Sequence, residues 1–184
     1  MKLYQKIALS AIVLSLFVLG GCLVSGTFVI EETFSFTTQT GFYPESVDLT
    51  ENEVWADHID NLDDIELIGF ELWITNSETA EWTYSAYADE YDETCDNLTC
   101  FGTSNTKFKV FGDLVVPAAT TTSGSTKFVS YQESFQYIQN FADLKELVRG
   151  GKFNLYGLAS GGSGGNGGKV DSIKVIITIN ASDT

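Results

Sequence analysis

Five carboxylates fall within eight residues at Asp89, Glu90, Asp92, Glu93 and Asp96, the densest chemistry-bearing stretch of the chain. Calcium takes about six to eight hard oxygen ligands, and clustered carboxylates on a loop supply them. These five residues are the candidate metal ligands, and calcium is the cation they suit. A second acidic run, Asp57, Asp60, Asp63, Asp64 and Glu66, is free to converge with the first in space. Neither run has the alternating acids and central glycine of an EF-hand loop. The plainer reading of both is a solvated acidic surface that keeps the protein soluble.

Other chemistries find less support. His58 is the one histidine and stands between Asp57 and Asp60. Catalysis through it needs an aligned nucleophile, and an exposed or capping role suits it better. Gly162 to Gly167 matches G-x-G-x-x-G in letters, but that fingerprint needs a helix after it, and a strand pattern follows. Paired acids can hydrolyse a glycosidic bond only across a cleft of defined width, and with 25 acidic residues some pair always qualifies on paper. Tyr87, Tyr91 and Trp82 near the acidic stretch hint at stacking on a glycan. A non-enzymatic protein is the expectation.

The three cysteines divide into two roles. Cys95 and Cys100 form a pair beside the acidic stretch and suit a disulfide in an oxidising compartment. The third, Cys22, ends a leader: Lys2 and Lys6, then the apolar run Ile7 to Leu19, then Leu19-Gly20-Gly21-Cys22. The run is too short for a membrane span of about 20 residues. This leader resembles the lipobox signal peptide of bacterial lipoprotein precursors, a resemblance confined to residues 1–22. It implies cleavage after Gly21, diacylation of Cys22 and a membrane anchor through that residue. The address it implies is the bacterial cell envelope, at the outer membrane of a two-membrane organism or the outer face of the cell membrane otherwise.

Removing residues 1–21 takes two of the ten basic side chains and none of the 25 acidic ones, leaving eight against 25, a formal charge of −17 on 163 residues. That surface excludes nucleic acid as a partner, because affinity for phosphate comes from Lys and Arg. An envelope protein or a glycan is the expected ligand class. The 13 Phe, 8 Tyr and 3 Trp supply a core despite the acidity, and the length suits one domain over 26–184, after a lipidated terminus and spacer at 22–25.

The elements that must position these residues are mostly strands. Alternation with a period of two marks 27–37, 46–49, 65–75, 81–89, 107–116, 127–131, 153–158 and 170–180. Ile65 to Thr75 carries apolar residues on both sides, as a central strand does when covered on both faces. Tyr43-Pro44 reads as a turn, and Gly161 to Gly168 as a hairpin connection. Thr50 and Glu53 have the spacing of a capping box for a short helix over 51–60. Asn140, Arg149 and Gly150 frame a second helix. About eight strands with two short helices predict an antiparallel β-sandwich, immunoglobulin-like in general architecture, with a closed barrel as the alternative. The expected function is a lipid-anchored binding or structural module. A calcium-dependent ligand-binding or adhesion domain is the second expectation, and a small hydrolase using acidic residues the third.

Overall fold

The computed structural model describes residues 27–36, 41–120, 124–161 and 170–183, including their side chains except at 35, 36, 170–177 and 183. The leader with Cys22, the spacer through residue 26 and the glycine-rich stretch 162–168 lie outside the described residues.

Eight strands form two antiparallel four-stranded sheets packed as a sandwich. They are β1 (Thr27–Phe36), β2 (Phe42–Asp48), β3 (Leu62–Asn76), β4 (Trp82–Glu90), β5 (Phe108–Val116), β6 (Ser125–Val129), β7 (Lys152–Gly161) and β8 (Val170–Asp183). One sheet has the order β1-β8-β3-β6 and the other β2-β7-β4-β5. The pairs β1 with β8, β2 with β7, β3 with β6 and β4 with β5 are nested. The chain is thus one long hairpin, rolled so that its arms alternate between sheets. This is the strand order of a double-sheet jelly roll, so the likeness to immunoglobulin domains stops at the general architecture. The tip of the long hairpin is the β4–β5 connection, which is the acidic stretch with the cysteine pair.

The periodicity places most strands to within a few residues, and the differences have physical causes. Tyr43-Pro44 is inside β2 rather than a turn. β2 is an edge strand, so a residue without an N–H is tolerated there. The hairpin connection expected at 161–168 lies, from 162 on, outside the described residues, and β7 and β8 belong to different sheets instead of pairing as a hairpin. In β3 a register shift between Ile65 and Leu67 changes the phase of alternation, so Ile65 and Ile68 are both buried while Leu67 is exposed.

Among the described residues, four short α-helices decorate the sandwich: α1 (Glu53–His58), α2 (Leu98–Thr103), α3 (Tyr131–Ser134) and α4 (Phe141–Arg149). The N-cap of α1 is Asn52, whose side-chain oxygen accepts from the amides of Val54 and Trp55. Thr50 does not cap it, because its hydroxyl and amide are both bonded to Asp48. Asn140 holds the N-cap position of α4 in a left-handed conformation, but its amide group donates to the Lys109 carbonyl instead of capping. The connection over 130–139 bonds to both sheets. Ser130 and Glu133 form a capping box on α3, Ser134 Oγ accepts from Phe70 N of β3, and Gln139 N donates to Val110 O of β5. One connection thus covers the part of β3 that β6 does not reach and the edge strand β5.

The main core lies between the sheets, with Trp55, Trp82, Tyr43, Phe111, Phe153 and Ile74 fully buried. Each such side chain removed from water contributes about 1.5–3 kcal/mol. Asn76, fully buried at the β3–β4 corner, is satisfied by three bonds, donating to Ala80 O and Pro117 O and accepting from Glu78 N.

Candidate functional site

The β4–β5 excursion folds back over the outer face of its own sheet. Phe42 of β2, Tyr156 and Leu158 of β7 and Tyr87 of β4 face outward there and would otherwise lie bare. Phe101 of α2 covers them, with ring centroids 5.5 Å from Phe42, 5.3 Å from Tyr87 and 5.2 Å from Tyr156. Cys95, 5% exposed, joins this second core and is bonded to Cys100, with Cα atoms 5.4 Å apart. The disulfide expected from sequence is present. Asn97 caps α2 by accepting from Thr99 N and Cys100 N.

Two buried polar groups tie the excursion down. Asp89, 4% exposed at the end of β4, accepts from Thr106 Oγ1 at 2.6 Å and from Glu90 N at 2.9 Å. Asn154 of β7, 1% exposed, donates to the Asp92 carbonyl and to the Tyr156 hydroxyl, each at 2.8 Å, and accepts from Ser46 Oγ at 3.1 Å. Burial pushes the Tyr156 phenol up from its ordinary range, and the charges of Asp89 and Asp92 act in the same direction against the opposing Asn154 bond. Tyr156 is a neutral phenol at physiological pH.

The five predicted metal ligands end up in different surroundings. Asp89 is turned onto Thr106. Asp92 is held by the hydroxyl and amide of Thr94, at 2.7 and 2.9 Å, and the hydroxyl bond keeps its carboxyl below the usual range. Asp96 accepts from Asn97 Nδ2 at 3.0 Å. Glu90 and Glu93 are exposed. Among the described residues, no three His, Cys, Asp or Glu side chains gather into a group able to hold a metal ion. Of the second acidic run, Asp64 is bound to Lys145 and Arg149 of α4, and Lys145 holds its carboxyl below the ordinary range. The His58 ring stacks on Phe28 at 4.3 Å.

What the excursion does create is a groove of about 880 Å³ between its two limbs. Asp89, Glu90, Asp92 and Glu93 line one limb, Thr103 to Thr106 the other, and Tyr156 lies between them. A second groove of about 420 Å³ shares Glu90 and Thr106 with it and adds Asp143 and Glu146 of α4. The first acidic stretch therefore meets acids of α4, some 50 residues further along the chain, rather than the 57–66 run. The basic residues nearby are engaged: Lys107 bonds Ser104 O and lies over the Phe101 ring, and Lys152 pairs with Asp48. Sequence reading missed Thr106, Asn154, Asp143 and Glu146. The one usable signal was Asn154, a polar residue inside an apolar strand.

No protein-family model matches the chain, and no curated protein matches it. Among solved structures, Desmodium yellow mottle tymovirus is similar over 88% of this chain and 90% of its own, with TM-score 0.32 and 10% identity. Turnip yellow mosaic virus is similar over 86% and 82%, with TM-score 0.30 and 11% identity. The VP2 subviral particle of infectious bursal disease virus is similar over 88% of this chain and 33% of its own, with TM-score 0.34 and 15% identity. Scores this low carry no argument, and the jelly-roll description rests on the strand order alone.

Proposed function

We propose that the protein is a lipid-anchored, non-enzymatic module of the bacterial cell envelope that binds a cationic ligand in the groove at the tip of its long hairpin. The envelope address rests on the lipobox resemblance at Leu19 to Cys22. The binding role rests on one observation: Asp89, Glu90, Asp92 and Glu93 line one groove, Asp143 and Glu146 line a second that shares Glu90 and Thr106 with it, and no Lys or Arg lines either among the described residues. A low-dielectric concavity lined by one sign of charge focuses the field and concentrates counter-charged ligands. The disulfide, the Asn97 cap and the Phe101 core hold the groove walls in place before a ligand arrives, which lowers the ordering cost of binding.

Thermal unfolding with a short oligolysine peptide tests the binding half, because a ligand that binds only the folded state raises apparent stability by mass action. The expected result is a saturable rise in Tm that is lost in Glu90→Gln/Glu146→Gln and kept in the charge-matched variant Glu31→Gln/Asp60→Asn. Equal loss in both variants means diffuse attraction to the acidic surface and refutes the groove. Calcium and magnesium run as parallel arms, and a calcium-selective rise would transfer the reading to a metal-dependent module. The anchor is tested by acyl labelling in a bacterial host: label and membrane fractionation are expected in the wild type and lost in Cys22→Ser.

A further inference from the structure

Among the described residues, the outer face of the other sheet is not closed in the same way. In that sheet Val29 of β1, Asn180 of β8 and Leu67 of β3 lie in one row, since Val29 and Leu67 both pair with Asn180. Directly opposed residues of an antiparallel sheet share a face, and Phe28 and Ile30, on either side of Val29, are buried. Val29 and Leu67 are 47% and 44% exposed. Asn180 donates to the Tyr131 hydroxyl at 2.8 Å, and the Tyr131 ring meets Phe135 edge-on at 5.0 Å. Phe135, itself 39% exposed, shares with Leu67 an apolar cleft of about 250 Å³. These side chains make one patch instead of isolated apolar residues.

The patch lies beside the tether. Five peptide steps separate Cys22 from Thr27, the first residue of β1, a span of at most about 17 Å. Val29 is two residues further, about 7 Å along the strand, and Leu67 is two strands across, about 10 Å. An acylated Cys22 keeps this end of the sheet within reach of the bilayer at all times. We infer that the tether end of the β1-β8-β3-β6 sheet rests on the membrane that holds Cys22, with Val29, Leu67 and Phe135 at headgroup level. The inference depends on the lipid-anchor reading above. Glu31, exposed in the next row, pairs with Thr178, which pairs with Gly69. That carboxylate opposes anionic headgroups, so the surface fitted is a neutral one. Apolar side chains at such an interface enter by about 5–10 Å.

The test uses the full chain purified from bacterial membranes and placed in phosphatidylcholine vesicles. Cys95 and Cys100 are bonded to each other, so with Cys22 acylated, Leu67→Cys provides the free thiol for an environment-sensitive dye. Leu98→Cys, at an equally exposed site on α2 (48%), is the control. Quenching by spin-labelled phosphatidylcholine is expected to be severalfold stronger at 67 than at 98, and to weaken when phosphatidylserine is added. Equal quenching at the two sites overturns the inference. A dye response at 67 that follows protein density instead of the lipid quencher overturns it in favour of a second copy on this face. The mass of the N-terminal peptide separates the two readings: an unacylated Cys22 refutes the anchor and the docking together, whereas an acylated chain with equal quenching refutes the docking alone.

Discussion

The two sheets treat their outer faces differently. The outer face of β2-β7-β4-β5 is closed by the chain itself: the hairpin tip returns across it, bringing Phe101, a disulfide and two buried polar anchors. Among the described residues, the outer face of β1-β8-β3-β6 is covered in the middle, where the Tyr131 ring lies on Gly69. A Cβ there would stand 2.2 Å from that ring, so the glycine is what admits the cover. Around this point Val29, Leu67, Phe128 and Phe135 remain exposed. The first face behaves as a second core and the second as a surface awaiting contact. Among the described side chains, Val29, Leu67, Phe128 and Phe135 bring exposed apolar area to the sheet that carries β1, Val54, Tyr91, Leu98 and Val115 are exposed elsewhere, and the groove is built over the other sheet.

Replacing Phe101 by alanine should break the first side of this comparison most strongly. Loss of a buried aromatic ring costs about 3–5 kcal/mol, and the loss should fall on the excursion. Hydrogen exchange should show residues 98–103 opening while β3 and β7 keep their protection. A collapse of protection throughout would mean that the two cores are one cooperative unit. Next in size is the double variant Cys95→Ser/Cys100→Ser. A bridge closing so short a loop contributes about 2 kcal/mol, and limited proteolysis should find new cleavage between 91 and 106 without global unfolding. On the open face, Leu67→Ser should change stability by no more than about 0.5 kcal/mol in detergent-free solution of the unanchored chain. A larger loss in denaturant titration would make Leu67 part of the core and remove it from any docking role.

The smallest effect is electrostatic and belongs to the open sheet. Lys145 depresses the carboxyl of Asp64 in the folded state. A carboxyl held below its unfolded value of about 4 contributes stability that is present above that pH and is lost as pH falls through the depressed value. The Tm difference between the wild type and Asp64→Asn should therefore be open at neutral pH and close as the pH drops below about 4. A difference that does not vary with pH would assign the effect to packing. Asp48 with Lys152 and Asp113 with Lys109 follow the same sign. The net charge of −15 repels itself, so added salt should raise Tm in all variants alike.

Much of this architecture was legible in the residues. A period of two located the strands, because the side chains of a strand alternate between faces. The stretch 153–158 read as a strand, but only the structure shows β7 covered on both faces, by the main core and by Phe101. The spacing of Cys95 and Cys100 announced the disulfide. The leader, with its basic start, short apolar run and terminal cysteine, remains a sequence statement. Composition, alternation and cysteine placement thus determined the class of fold, its number of strands and its staple, since each is set by neighbours within a few residues. Only the tertiary structure decided the strand order, the phase change at Leu67, the return of the tip onto its own sheet and the meeting of Glu90 with Asp143 and Glu146. These depend on pairings between residues tens of positions apart, and no local pattern encodes which distant strand offers the matching edge.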